Sequence, residues 1–310
     1  MRHLTAHAVP GTLLFHTWQE ARDLWLRLVA LGPPHALVLM PDHVHLVAEG
    51  VDPTRWHAAL SGYALWRHHQ RGRAGGRVWA PSPPQREVPD RLHLERTTRY
   101  VLLNPCRGRL CTDPLAWPFS THRDAVGLAV PGVRAATRYP ERFHRYVSAD
   151  PTVNVSGTPL PGGNAHADPA SVVAAVSALV RQPVVGWDAP ARDLAASVLR
   201  DVVKLSYRAV CRWVRISPAT LCRLPRADSD VVARVLRVLG DPRFPALDDG
   251  DLRGSPAWRC YQQVRAEKRF PETTHVRHTP VFDPPCFETE RPPIPPQVKQ
   301  IPDDAPFRET

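Results

Sequence analysis

The clearest hydrophobic pattern in the chain is a pair of apolar runs broken by Pro41-Asp42. Ala36 to Met40 is continuously apolar and predicts a buried strand. His43-Val44-His45-Leu46-Val47 alternates, which predicts a second strand with His43 and His45 on one face and Val44 turned to a core. Upstream, His3 to Val9 alternates weakly and predicts a first strand. Between them, Thr17 to Leu31 reads as a helix. Leu24, Leu28 and Leu31 keep helical spacing, Thr17 and Glu20 form a capping box, and Gly32-Pro33-Pro34 ends it. Asp52-Pro53 opens a second helix with Trp56, Leu60 and Tyr63 as its stripe. Prolines leave at most a short edge strand in residues 78–89. A third helix is expected from about Asp90 to Asn104, stopping before Pro105. This order predicts an α+β sandwich: an antiparallel sheet with helices on one face and the other face open for the two histidines.

The C-terminal half reads as helical. Residues 128–168 show little periodicity, and Asn154 to Asp168 is rich in Gly, Pro and small polar residues, so a linker is expected. Asp168-Pro169 starts a helix with Val172, Val173, Val176, Leu179 and Val180 inward, and another follows over about Ala191 to Lys204. Leu205 to Leu224 resembles a helix-turn-helix. Val210, Trp213 and Val214 are expected inside, and Ser217-Pro218 caps the second helix. Ala219, Thr220, Arg223 and Arg226 are expected outside, able to reach bases or phosphates. Arg215 stands where such turns usually have glycine. An ordinary helical hairpin fits the same pattern. A further helix from Ser229 to Leu239 would complete a small all-α domain over 169–240. Beyond it, 241–310 is expected to be a largely disordered, proline-rich tail with one short basic helix over Trp258 to Phe270.

Composition narrows the partners. The formal net charge is +10, with arginine dominating the basic residues, which suits a polyanion and most simply nucleic acid. Arg67, Arg71, Arg73 and Arg77, with His68 and His69, would give the end of the second helix a phosphate-contacting edge, or simply a solvated helix end. Six cysteines occur without a Cys-x-x-Cys, which speaks against a zinc ribbon or a thioredoxin-like pair. No apolar run is long enough for a membrane span and no secretory signal is visible, so a reducing cytosol (bacterial cytosol or nucleoid) is the expected compartment. His43 and His45 could form half of a metal site, though two solvated histidines on an open strand face are the plainer reading in a chain with 15 His. Tyr100 and Asn104 lie one helical turn apart. A tyrosine hydroxyl can attack phosphorus, and an asparagine amide oxygen can bind a hard divalent ion. Packing and helix termination are the plainer roles for the same two residues.

Two blocks tie these residues together. Met40-Pro41-Asp42-His43-Val44-His45-Leu46 and Tyr100-Val101-Leu102-Leu103-Asn104-Pro105-Cys106-Arg107 resemble motifs of the REP-associated tyrosine transposases, within the HUH single-tyrosine nucleases. Asp113-Pro114 and Trp117-Pro118-Phe119-Ser120-Thr121-His122-Arg123 resemble a third block, and the resemblance covers about residues 1–127. It implies a ferredoxin-like catalytic domain over 1–127. It also implies His43, His45 and Asn104 as ligands of Mg²⁺ or Mn²⁺, and Tyr100 as the nucleophile. The implied reaction cleaves single-stranded or hairpin-forming DNA through a 5′-phosphotyrosine link that a 3′-hydroxyl can later rejoin. Arg107 is expected to contact DNA, and some members carry a C-terminal DNA-binding domain. Such proteins act as monomers or homodimers. The sequence departs from the family pattern at Asp42, where Asn is commoner, at Leu102, where His is frequent, and in the proline-rich Trp79 to Glu87. A domesticated or non-catalytic DNA-binding regulator is the alternative.

Overall fold

The computed structural model describes residues 1–72, 76–81, 85–163 and 167–267. Arg73 and the proline-rich stretch from Pro280 lie outside the described residues. Alternation in the first strands fixes the sheet. Strands β1 (Arg2–His7), β2 (Ala36–Leu39), β3 (His43–Ala48) and β4 (Arg86–Glu87) pair antiparallel in the order β2-β3-β1-β4. Helix α1 (Trp18–Val29) joins β1 to β2, and α2 (Pro53–Gln70) joins β3 to β4, which is the ferredoxin-like arrangement. On one face Leu4, Ala6, Val44 and Leu46 are buried in the same cluster as Leu24, Leu28, Trp56, Leu60 and Tyr63 from the two helices. Helix α3 (Arg91–Leu102) packs on β2 and β3. It lies over the histidine face, because Tyr100 from α3 meets His45 there. The second face is therefore open only in part.

The β2 edge is covered by chain and the β4 edge is kept very short, two ways of limiting pairing with other chains. The chain at 117–121 runs along β2: Leu39 N donates to Phe119 O (3.0 Å), Thr121 N to Leu37 O (2.9 Å) and Leu37 N to Thr121 Oγ1 (2.9 Å). Trp117 Nε1 donates to Leu39 O at 2.8 Å. Strand β4 keeps only two residues, Arg86 and Glu87, with one further bridge from Ala8 to Trp79.

Three boundaries differ from the sequence reading. Helix α3 ends at Leu102, and Asn104 begins a separate single turn, α4 (Asn104–Arg107). The stretch 128–168 contains α6 (Pro140–Ser148), which buries His144 and Val147 and so is no simple linker; a nine-residue helix is too short for its two buried positions to stand out as a period. The segment after 240 is not a loose tail up to 267. Phe244 and Leu247 are buried, and α12 (Pro256–Glu267) buries Trp258 and Tyr261 in the first core. The Trp258 ring lies 5.6 Å from Phe15 and 6.4 Å from Trp117, so aromatic contact rather than a long apolar stripe anchors this helix.

The helical half comprises α7 (Pro169–Val180), α8 (Ala189–Asp201), α9 (Tyr207–Val214), α10 (Pro218–Arg223) and α11 (Ser229–Val238). Their core includes Val176, Leu179, Val198, Val210 and Leu221, but also Leu115, Val126, Leu128 and Phe244. The second core thus reaches back into the N-terminal segment through α5 (His122–Ala125), and 169–240 does not enclose its own interior. Two buried arginines seal the seam. Arg123 donates to Leu115 O (2.7 Å), Ala178 O (2.8 Å) and Arg243 O (3.1 Å). Arg181 donates to Pro118 O (2.7 Å), Ser120 O (3.1 Å) and the Asp124 carboxylate. Among the described residues, no helix is long and apolar enough to cross a membrane.

Helices α9 and α10 are joined by a three-residue turn, and Ser217 Oγ accepts from Thr220 N (3.0 Å) as the cap of α10. Val210 and Val214 are buried as expected, whereas Trp213 is 43% exposed: it lies on the outward side of α9, where the amphipathic spacing does not need it. Arg215 adopts φ +56°, the left-handed conformation that glycine takes without strain. The substitution Arg215→Gly is expected to raise stability by up to about 1 kcal/mol, checked by the denaturant midpoint of the full chain.

Candidate metal and nucleophile site

The β1–β3 ladder sets four imidazoles on one sheet face. His7 lies opposite His43 and Thr5 opposite His45, and the rings of His43 and His45 are 4.9 Å apart. Each of the two has its Nδ1 engaged by a neighbour. His43 Nδ1 lies 2.7 Å from Asp42 Oδ1. His45 Nδ1 lies 3.0 Å from His3 Nε2 and 3.2 Å from Thr5 Oγ1. Among the described residues no hydrogen bond is made to Nε2 of either ring. A metal-bound imidazole uses one nitrogen for the ion and gives the other N–H to a neighbour, and these contacts meet the second requirement.

Burial disfavours the charged form of the His45 and His3 rings. Burial, then the charges of His43, His3 and His7, lower the His45 pKa to about 2. Burial, then Arg86, lower that of His3 to about 4. Asp42 runs the other way. Burial pushes its carboxyl up, but the His43 and Tyr261 hydrogen bonds and the Arg265 charge outweigh this and hold it below the usual range.

Helix α3 brings Tyr100 over this face. Its ring lies 5.7 Å from that of His45, edge to face, and the residue is 41% exposed. The Arg107 guanidinium, paired with Asp150 at 2.9 Å, stacks over the other part of the ring at 4.8 Å. Asn104 is buried, and its Nδ2 donates to Tyr100 O (3.1 Å) and Val101 O (3.4 Å) at the end of α3. Since carbonyls accept only, these bonds identify the nitrogen and leave Oδ1 as the acceptor or ligand atom. Among the described residues, no three His, Cys, Asp or Glu side chains gather as a metal-binding group. Two imidazoles and an amide oxygen are donor types that a divalent ion accepts, but among the described residues no hydrogen bond joins Asn104 to either imidazole.

No protein-family model matches the chain, and no curated protein matches it. A solved structure of a REP-associated tyrosine transposase bound to a REP hairpin is similar at 22% identity, with a TM-score of 0.32, over 40% of this chain and 77% of that one. The likeness is distant.

The basic residues read from the sequence fall into two groups. Arg67 is buried and donates to Leu13 O, and Arg71 grips the Glu20 carboxylate with two nitrogens, so both act inside the fold rather than on an open edge. Arg77, Arg223 and Arg226 are exposed, while Thr220 shares its hydroxyl with Ser217 at 2.8 Å. Sequence reasoning missed His3, Thr5 and His7, although their period-two spacing in β1 was visible. It also missed a groove of about 520 Å³ between α3 and α6, lined by Arg91, Arg134, Arg138 and Arg142 with Tyr139 and Tyr146. Its aromatic-edged, basic lining was hidden inside the expected linker.

Histidines held neutral in the fold gain protons on unfolding below their ordinary pKa of 6.5. Their folded pKa is depressed, so their stabilising effect is complete above about pH 6.5 and lost as pH falls towards the folded value. The urea midpoint is expected to drop between pH 7 and pH 5, and His3→Gln to make that dependence shallower.

Proposed function

We propose that this chain is a metal-dependent DNA strand nuclease and transferase that uses Tyr100 as a covalent nucleophile. One observation supports this most: a half-exposed phenol stands against His45, whose ring lies 4.9 Å from that of His43, and among the described residues neither Nε2 makes a hydrogen bond. Few structural roles require that combination, since a packing tyrosine needs no pair of imidazoles with open ring nitrogens beside it. His43, His45 and Asn104 would hold Mg²⁺ or Mn²⁺. When bound, such an ion withdraws charge from the non-bridging oxygens of a phosphodiester.

The chain's own residues account for the remaining steps. Tyr100 Oη gives up its proton and forms a bond to phosphorus as the phosphorus–O3′ bond breaks, and the departing 3′-oxygen takes up a proton, so that no net proton is gained or lost. The product is a 5′-phosphotyrosine link, which a 3′-hydroxyl can attack in reverse to rejoin DNA without ATP. Arg107, fixed by Asp150, holds the phenol ring on its face. Single-stranded or hairpin DNA is the proposed substrate, because the groove beside α3, the helix that carries Tyr100, is aromatic-edged and arginine-lined, which favours unpaired bases and phosphates together. Arg77 and the groove arginines are further proposed phosphate contacts, with Arg107 at the nucleophile. The α9–α10 pair, with Arg223 and Arg226 outward, is the proposed contact to duplex DNA.

A labelled hairpin oligonucleotide incubated with the protein and Mn²⁺ is expected to give a protein–DNA adduct that survives denaturation, and Tyr100→Phe to abolish it. An adduct persisting in Tyr100→Phe would remove Tyr100 as nucleophile. Duplex binding by the full chain, lost in Arg223→Ala/Arg226→Ala, together with no adduct on any structured strand, would favour the regulator reading.

A further inference from the structure

We infer that Tyr261 and Arg265, on α12, are positioning residues that fix the metal-binding edge of His43 by holding Asp42. The inference rests on the reading of His43 as a ligand. Asp42 is 7% exposed, and three groups engage its carboxylate: His43 Nδ1 at 2.7 Å, the Tyr261 hydroxyl and the Arg265 guanidinium. His43 and Tyr261 share Oδ1, and Arg265 takes Oδ2. A buried carboxylate is stable only when its oxygens are paired. Without α12, Asp42 would keep one partner and be free to turn away from the imidazole.

The orientation matters because the two ring nitrogens are distinct. A fixed acceptor at Nδ1 keeps the proton there and leaves the lone pair on Nε2. Asp42 does this for His43, and α12 does it for Asp42. The packing supports a dedicated fit. Tyr261 is 3% exposed, and a Cβ built on Gly108 would come within 2.9 Å of the Tyr261 ring and 3.1 Å of Met40 Cε. Gly108 follows the turn that carries Asn104, and Met40 precedes Pro41-Asp42-His43. One ring thus touches the segments leading to both halves of the ligand set.

Mn²⁺ alone is the probe, titrated into the full chain by calorimetry or electron paramagnetic resonance. Tyr261→Phe/Arg265→Gln is expected to weaken Mn²⁺ binding about tenfold, the low end of what lost outer contacts cost metal sites. Nitrogen-15 spectra of the metal-free protein are expected to place the His43 proton on Nδ1 in the wild type and to spread it over both nitrogens in the variant. Asp42→Ala should match the double variant, and Asp42→Asn, which keeps an acceptor, should recover part of the affinity. A folded double variant with wild-type Mn²⁺ affinity and an unchanged His43 tautomer would overturn the inference. If the double variant does not fold, Arg265→Gln alone, at a 43% exposed side chain, reads the same two quantities. Failure of the wild type to bind Mn²⁺ would overturn the metal reading itself, and the tautomer comparison would still decide whether α12 orients His43.

Discussion

The pairing register between β1 and β3 governs everything built on the sheet. Thr5 faces His45 and His7 faces His43, while Leu4, Ala6, Val44 and Leu46 fill the opposite side. Because side chains alternate with period two, a shift of one residue would drive both candidate ligands into the apolar core and lift the core residues out. Burial of four apolar residues therefore selects the face on which the imidazoles gather. Hydrophobic alternation thus chooses the face on which the site forms, and the contacts from α12 to Asp42 act on a ring already placed there.

That dependence explains which parts could be read in the residues. Alternation around Val44 is a local signal, so the shared face of His43 and His45 was visible before any coordinates. The capped, proline-terminated third helix put Tyr100 near its end, the order of elements led to an antiparallel sheet with helices on one face, and only the resemblance made it ferredoxin-like. What escaped notice depends on contacts distant in sequence. Asp42 looked like a minor departure, since its partners lie more than 200 residues further on. Helix α12 has only Trp258, Tyr261 and Val264 as buried anchors, too few for a clear helical stripe in a proline-rich neighbourhood. Arg67 and Arg71 resembled their exposed neighbours in composition, and only burial and the Glu20 carboxylate set them apart.

The two cores meet across charged groups rather than across a linker. Arg123 is fully buried, and burial lowers its pKa to about 9, yet backbone carbonyls from both halves surround its guanidinium. Arg181 closes the same seam through Asp124 and stacks on Trp25 at 4.7 Å. A buried guanidinium is tolerated only when its donors are satisfied, so each half supplies acceptors that the other needs. Removing either half would strand these groups, which makes the helical portion a structural partner of the sheet and not a detachable module.

The Tyr261–Asp42 contact spans 219 residues of sequence, and it has a temporal consequence. A ribosome adding about 5–20 residues per second releases Tyr261 roughly 10–45 s after Asp42. During that interval a nascent chain already contains both imidazoles, the phenol and the amide, but not the helix that grips the carboxylate between them. Translation order thus leaves a segment made long after the strand pair as the one that completes it.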